Sequence, residues 1–204
     1  MQLAIEEGLG LDLEAEASAR IYAPFGMTRT SLRWRADFAE NLADGYAADG
    51  SFEPHDERSR PSAAGSMDTT IEDQARLWAA IVRGDGLSKA SRRELVRPQR
   101  PIQSARQFPT LWDWTDPRGP AIALSAGLGV VTYLDDNGPS WFKGGHNDWT
   151  GNMVVCQEAR RRCVVFLSNS VRAERIYPAL ARFILGATKT PWWWEYGDDD
   201  RAES

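Results

Sequence analysis

The residues best suited to chemistry stand in succession at Lys143, Gly144, Gly145 and His146. They lie in a segment, 141–152, that has apolar runs typical of strands on both sides. Glycine packs a strand poorly, but it lets a ligand or another backbone come close. The lysine supplies a compact positive charge, and it is one of three lysines among 24 basic residues. The pattern favours a site where an ammonium and backbone N–H groups receive an anion.

Other interpretations of the same segment do not involve anion binding. A lysine next to a strand can protect the edge of a sheet while it stays in solvent, although that role does not require neighbouring glycines. His146 and Asp148 stand two residues apart and could share a metal, but no third ligand has recognisable spacing. His55 lies in a polar stretch and is expected to be solvated. We therefore predict no metal and no other cofactor.

A nucleophile is harder to find. The chain has no Gly-x-Ser-x-Gly motif, and its one formal Ser-x-x-Lys runs from Ser140 to Lys143. The acyl-transfer version of this motif needs both side chains on one helical face, so that the lysine can take the serine proton. In a strand, residues three apart point to opposite faces. Ser140 is therefore a poor candidate, and we predict that no complete catalytic set is present.

The composition is that of an ordinary globular protein with one core, or one core and a flap. The chain has 204 residues, of which 42% are hydrophobic and 26% are charged. Its net charge of -5 argues against a nucleic-acid partner. The apolar runs are too short for a membrane span, and the acidic start does not resemble a signal peptide. The chain as written is expected to be cytoplasmic, whereas a full-length parent could be periplasmic or extracellular.

Four helices are predicted in the first half of the chain, over residues 1–8, 12–21, 70–83 and 89–96. Asp12 is expected to cap the second helix. Thr69 and Glu72 have the spacing of a capping box for the third helix, which Gly84 ends. The apolar face of this third helix is predicted to comprise Ile71, Ala75, Trp78 and Ile81 or Val82.

The stretches between these helices are polar or rich in proline. Residues 36–62 are expected to form a long surface loop with one short strand near 45–47. Residues 97–120 contain several prolines and are expected to be irregular. Trp112 and Trp114 are predicted to pin this irregular segment to the body of the protein.

The second half of the chain changes to strands, predicted at 127–134, 140–145, 150–157 and 162–168. The sequence Asp-Asp-Asn-Gly at 135–138 is a strong turn signal, so these strands should form an antiparallel meander. A helix near 173–185, with Pro178 in its first turn, is expected to cover the sheet. Its sheet-facing residues are predicted to be Ile176, Leu180, Phe183 and Ile184.

The predicted fold class is α+β, with an antiparallel sheet packed by a C-terminal helix. Residues 1–126 would form a helical and loop-rich part, 127–186 the strands and the C-terminal helix, and 187–204 a tail that is aromatic and then acidic. A four-residue loop at 158–161 would place Cys156 directly opposite Cys163, close enough for a disulfide. The alternative, which we favour for only two cysteines, is a pair of reduced and buried thiols.

Five segments of the sequence resemble, in order, the serine β-lactamase and penicillin-binding-protein family. The resemblance is closest to its branch of class C-like β-lactamases, esterases and D-aminopeptidases, and it spans most of residues 1–186. The fold it implies is the β-lactamase/transpeptidase-like one, in incomplete form. The segments are 24–30 (PFGMTRT), 64–73 (AGSMDTTIED), 127–130 (GLGV), 143–145 (KGG) and 164–169 (VVFLSN).

The resemblance implies roles for the residues around Lys143. In that family a Lys-Thr-Gly or His-x-Gly triplet lies on the strand that borders the active site. Lys143 would hold a substrate carboxylate, Gly145 would allow close approach, and the backbone N–H of His146 would be one of two oxyanion-hole donors. Gly144 stands where the family has a hydroxyl residue, which favours ester or peptide substrates over penicillins.

Two motifs of the family have no counterpart in this sequence. These are the helical Ser-x-x-Lys and Tyr-x-Asn, which precede the resembling segments in the family. The chain therefore looks like the C-terminal part of a serine hydrolase and is predicted to be inactive alone. A non-catalytic binding module with an anion-receiving groove at 143–146, and an unrelated α+β domain, are the alternatives. The expected partners are a small-molecule or peptide substrate of the complete parent and a second copy, paired through an exposed sheet edge.

Overall fold

The computed structural model describes residues 1–108 and 114–197. Its strands form a two-stranded sheet, β1-β2, and a six-stranded antiparallel sheet in the order β3-β4-β5-β6-β7-β8. The strands are β1 Gly45–Tyr46, β2 Phe52–Glu53, β3 Arg100–Pro101, β4 Ser125–Ala126, β5 Val131–Asp135, β6 Gly138–His146, β7 Gly151–Gln157 and β8 Arg162–Ser168. This architecture confirms the predicted α+β class and the predicted meander.

The part of the chain that the structure describes contains seven α-helices. They are α1 Leu13–Ala17, α2 Ala23–Phe25, α3 Ile71–Arg83, α4 Lys89–Leu95, α5 Arg118–Ala121, α6 Tyr177–Leu185 and α7 Trp192–Tyr196. Helical turns of other types occupy Ala4–Gly8, Ser18–Tyr22, Ala36–Asn41 and Val171–Ile176. Within the described residues, no helix is long and apolar enough to cross a membrane.

The central hairpin forms as its turn sequence predicts. Asp135 pairs with Gly138, which leaves a two-residue turn at 136–137. Gly138 has φ of 102°, a backbone conformation that side chains other than hydrogen disfavour. The next hairpin places Gln157 opposite Arg162, also as predicted. What the sequence did not predict is the extension of the sheet by β3 and β4, which are two residues each.

The middle of strand β6 is buried on both faces. Neighbouring side chains of a strand point in opposite directions, so each face packs in a different core. Phe142 packs with Trp194 of α7 in one core, whose other members include Tyr177 and Leu185 of α6. Trp141 packs on the other face beside Trp78 of α3, with 5.9 Å between ring centroids. The sheet therefore has α6 and α7 on one side and α3 on the other.

The start of α3 differs from the prediction by one residue. Thr70, not Thr69, is the N-cap, since its backbone is extended and its hydroxyl accepts from the N–H of Asp73. The hydroxyl of Thr69 instead contacts Thr30 at 2.8 Å. The predicted apolar face is also partly wrong, because Ile71 and Ala75 are exposed. Gly84 ends the helix in a left-handed conformation, as predicted.

Helix α6 turns a different face to the sheet from the one predicted. The buried residues are Tyr177, Ala181 and Leu185, four apart, and Phe183 is 88% exposed. Tyr177 stacks on Phe166 of β8 with 4.6 Å between centroids. The small side chain of Ala181 lets the helix approach the strand closely, which a larger residue would prevent. The other residues of the predicted face, Ile176, Leu180 and Ile184, are also exposed.

Two expectations about smaller features are wrong. Trp114 is 69% exposed and does not pin its segment by burial, whereas Trp112 lies outside the described residues. Cys156 and Cys163 are bonded in a disulfide, with 4.1 Å between Cα atoms, so the favoured reduced state is overturned. The direct cross-strand pairing that we predicted for these two cysteines is what permits the bond.

The aromatic tail packs as expected. Trp194 is buried in the core beside Phe142, and Trp192 stacks on Tyr196. The acidic part of the tail at 198–204 lies outside the described residues. The division of the chain at residues 126 and 186 stays a prediction.

Candidate active site

The stretch 143–146 of β6 has one open edge. Strand β5 pairs with β6 only as far as Val131, which lies opposite Phe142. Beyond that point β6 pairs with β7 alone, ending with His146 opposite Gly151. Among the described residues, no strand pairs with 143–146 on the β5 side. An extended ligand or a carbonyl oxygen can approach the backbone there.

The two ends of the formal Ser-x-x-Lys motif lie on opposite faces of β6. Ser140 is 2% exposed and shares its face with Phe142, whereas Lys143 lies on the opposite face and is exposed. The Lys143 ammonium donates to the carbonyl oxygen of its neighbour Gly144. Lys143 therefore cannot deprotonate Ser140, in agreement with the sequence argument.

Gly144 is buried because a carboxyl group from the C-terminal segment lies directly against it. A Cβ atom at position 144 would stand 1.7 Å from Oε1 and 2.6 Å from Cδ of Glu195. Glu195 belongs to α7 and is 6% exposed. The side-chain amide of Gln107 lies 2.7 Å from Oε2 of Glu195, and we assign its N–H group to this contact because the carboxyl oxygen then accepts. Position 144 thus requires glycine for a packing reason within the chain itself.

The pKa of the Glu195 carboxyl group is raised. Burial raises its pKa from the ordinary 4.5 to about 7, because the charged form loses solvation. The positive charges of Lys143 and His146 act in the opposite direction, and the carboxylate of Glu174 adds to the rise. A carboxyl group with a pKa near neutrality can be either a hydrogen-bond donor or an anion at physiological pH.

A second carboxyl group lies beside His146. Nδ1 of His146 is 3.0 Å from Oε1 of Glu174, whose residue is 3% exposed. This carboxylate also requires a glycine, since a Cβ at Gly151 would stand 2.7 Å from the same Oε1. The hydroxyl of Tyr177 donates to the Gly151 carbonyl oxygen at 2.7 Å. The pairing with Glu174 holds the imidazole ring in one orientation.

A cavity of about 470 Å³ opens beside this pair at the end of β6. Its wall combines one aromatic ring with charged groups of both signs, which is suitable for a small polar ligand. The lining residues are Ala48, Phe108, His146, Asn147, Asp148, Val171, Arg172, Glu174 and Arg175.

The structure keeps Lys143, Gly144, Gly145 and His146 together on β6, but it divides their side chains between two faces. Position 145 has open space, since nothing lies within 4 Å of a Cβ built there. Their roles in binding stay predictions. His55 is not solvated as expected, because its ring nitrogen Nε2 lies 2.7 Å from Oδ1 of Asp68.

Sequence reasoning missed Gln107, Glu174 and Glu195. The one available signal was the acidic residue inside the aromatic run 192–196, a position that packing alone would fill with an apolar residue. Within the described ranges, no cluster of three or more His, Cys, Asp and Glu side chains is arranged to hold a metal ion.

The sheet with helices on both faces, and the lysine on its partly open strand, define a β-lactamase/transpeptidase-like fold. The family model named Beta-lactamase matches residues 1–189, and the chain belongs to that family. No curated protein sequence matches the chain.

Solved structures agree on the fold at low sequence identity. A penicillin binding protein from Bacillus halodurans has a TM-score of 0.63 and 19% identity, over 87% of this chain and 52% of that protein. The octameric penicillin-binding protein homologue from Pyrococcus abyssi has a TM-score of 0.63 and 16% identity, over 89% of this chain and 39% of that protein. The D-amino acid amidase from Ochrobactrum anthropi has a TM-score of 0.58 and 19% identity, over 81% of this chain and 45% of that protein. The chain spans about half the length of these proteins.

The first prediction concerns the fit of Glu195 against Gly144. Gly144→Ala should destabilise the protein by about 2 kcal/mol and displace α7, because the methyl group overlaps the carboxyl. Gly145→Ala is the matched control, because nothing lies within 4 Å of a Cβ atom built at position 145. Chemical denaturation measures the stability, and near-ultraviolet circular dichroism reports the tryptophans of α7. Equal stability of the two variants would contradict the assigned packing.

The second prediction concerns pH. Because the pKa of Glu195 is raised in the folded protein, the folded state binds its proton more tightly than the unfolded state. The tighter binding of the proton stabilises the folded protein. This stabilisation is fully present below pH 4.5 and is lost as the pH rises to about 7. Its size is on the order of 3 kcal/mol.

Glu195→Gln removes this stabilisation. The free energy of unfolding of the variant, relative to that of the original chain, should therefore increase as the pH rises from 5 to 8. Denaturation curves of the two proteins at several pH values measure the difference. A difference that does not change with pH would show that Glu195 is solvated in the folded protein.

Proposed function

We propose that this chain is the C-terminal part of a β-lactamase-related serine hydrolase and forms the substrate-binding wall of its site. The reaction would be acyl transfer on amide or ester substrates. The observation that carries the proposal is the open edge of β6 at 143–146, next to the ammonium of Lys143. The family assignment and the fold support it.

Each residue of this stretch has a proposed task. Lys143 would hold a carboxylate of the substrate, because it is exposed and positively charged. Gly145 would let the substrate backbone approach, consistent with the open space at that position. The backbone N–H of His146 would stabilise the oxyanion that develops on the attacked carbonyl oxygen.

Amide substrates are supported by two of the similar structures. One is a D-stereospecific amidohydrolase from Streptomyces sp., with a TM-score of 0.61 and 16% identity. The other is the D-amino acid amidase described above. Gly144 also supports them over penicillins, since it lacks the hydroxyl that the family resemblance assigns to the middle residue of the triplet.

Residues 1–204 are proposed to be inactive alone. The chain contains no Tyr-x-Asn and no helical Ser-x-x-Lys, and its strand serine, Ser140, is buried away from Lys143. Loss of a serine nucleophile removes nearly all of the catalysis in enzymes of this kind. A non-catalytic binding module is the second candidate, because the wall around Lys143 and the cavity beside His146 are formed without a nucleophile.

The third prediction tests these two functions. After incubation with a fluorescent penicillin or an acyl-phosphonate, a denaturing gel should show no covalent band. A non-covalent ligand that carries a carboxylate should raise the melting temperature of the original chain and leave the melting temperature of Lys143→Ala unchanged. Lys89→Ala, an exposed lysine on α4, is the matched control and should respond like the original chain.

A covalent band that maps within the chain would refute the proposed inactivity. Equal ligand response in the Lys143 and Lys89 variants would refute the site itself.

We also propose that a second copy of the chain pairs with β8. Among the described residues β8 pairs only with β7, and strands with a free edge readily add another strand. Apolar side chains are exposed on both sides of this edge, with Phe183 and Ile184 on α6 and Ile71 on α3. Antiparallel pairing of β8 with its own copy would cover both strips by a twofold contact.

The fourth prediction is therefore that the isolated chain is oligomeric in light scattering. Phe183→Glu should increase the monomer fraction by placing a charge in the contact. Leu9→Glu, at an exposed position away from β8, is the control and should have no such effect. A monodisperse monomer of the original chain would contradict the pairing.

A further inference from the structure

We infer that Glu195 is a positioning residue of the β6 site, which supplies from α7 the side chain that position 144 lacks and sets the charge that an anionic ligand meets. The inference rests on the proposed function for its ligand, a carboxylate placed beside Lys143. The coupling of Glu195 to the site is independent of any ligand and can be tested alone.

Geometry gives the first argument. Oε1 of Glu195 stands 1.7 Å from the position of a Cβ on Gly144, a separation comparable with a covalent bond length. The carboxyl oxygen therefore occupies space that a side chain at position 144 would otherwise fill. An oxygen from a distant part of the chain thus takes the place of a local one.

The second argument is that α7 is held firmly. Trp194 packs edge-on against Phe142 at 6.2 Å, and its indole N–H donates to Oγ of Ser104 at 3.2 Å. The guanidinium of Arg118 lies 4.3 Å from the ring centroid of Trp193. These contacts anchor the two residues that precede Glu195 and hold α7 against the strand that carries Gly144.

Hydrogen bonding distinguishes the two oxygens of Glu195. The Gln107 amide donates the shorter bond to Oε2, at 2.7 Å, and a longer one to Oε1, at 3.2 Å. An amide N–H can bond to either form of a carboxyl group, so the protonated form loses no partner.

Charges on two elements act on this carboxyl. Lys143 and His146 on β6 are the cations, and Glu174 in the turn before α6 is a second acid. The Tyr196 ring on α7 lies 5.8 Å from the His146 ring. Arg106, which precedes Gln107, lies near Gly197 beyond α7, with Cζ 4.0 Å from the Cβ position there.

The consequence for a ligand follows from charge. An ionised Glu195 would neutralise part of the positive field of Lys143 and His146 and repel an incoming carboxylate. A protonated Glu195 leaves that field available to the ligand. Since burial raises the pKa of Glu195 to about 7, carboxylate ligands should bind more tightly at pH 6 than at pH 8.

The fifth prediction uses the two histidines of the chain and needs no ligand. In a nuclear magnetic resonance titration, Glu195→Gln should move the His146 ring signal to lower pH, because the ionised fraction of Glu195 no longer stabilises the imidazolium. The His55 signal is the internal control and should not move. Glu40→Gln, an exposed acid in the turn at 36–41, is the matched control variant.

An unchanged His146 titration in a folded Glu195→Gln protein would overturn the inference, since a purely structural role predicts that result. If this variant does not fold, Lys143→Met tests the same coupling from the other side. Loss of the ammonium should move the pH range in which the Glu195 contribution to stability is lost to higher pH, because Lys143 lowers the pKa of Glu195. An unchanged pH dependence of stability would overturn the inference.

A ligand arm separates this inference from the proposed function. The melting-temperature rise caused by benzylpenicillin should decrease more strongly from pH 6 to pH 8 in the original chain than in Glu195→Gln, which retains the His146 imidazole. An equal decrease in both proteins would overturn the effect on ligand binding that we assign to the charge of Glu195. No response at any pH, together with the expected His146 shift, would count against penicillin-type ligands and support the coupling of Glu195 to the site.

Discussion

The constraint on which the structure depends is the burial of β6 on both of its faces. Trp141 and Phe142 are neighbours in sequence and are almost fully buried in two different cores. The alternation of a strand then decides the direction of every later side chain. Lys143 must lie on the α3 side, whereas Gly144 and His146 must face α6 and α7. A shift of one residue in register would exchange these directions and place each aromatic side chain in the core that now holds the other.

This constraint explains why the glycines occur where they do. Gly144 and Gly151 each lie in a strand, where glycine is unfavourable in itself, and each has a buried carboxyl group in the space of its missing side chain. Glu195 takes the first space and Glu174 takes the second. The sequence pattern that indicates a ligand-binding strand is thus produced in part by two acids of the same chain. Gly145 is different, because the space at its position is open.

The strands were predictable from sequence because their signals are local. Alternating apolar runs and the turn at 135–138 specify the meander, and the loop at 158–161 specifies that Cys156 lies opposite Cys163. The face of α6 was not predictable, since Ala181 is chosen for close helix–sheet contact and not for hydrophobic area. Glu195 was not predictable either. Its position depends on how α7 folds back across 50 residues of chain to reach Gly144, and no local pattern encodes that contact.

The two buried acids have different partners, and this difference affects the cost of ionising each of them. Glu174 pairs with the His146 ring, which can become a cation and compensate an ionised carboxylate. Glu195 receives hydrogen bonds from the neutral amide of Gln107, which cannot compensate a charge in the same way. Ionising both acids would place two negative charges in one region of low dielectric, where their repulsion is poorly screened. Burial and the nearby Glu174 carboxylate therefore raise the pKa of Glu195, and the positive charges of Lys143 and His146 offset only part of the rise.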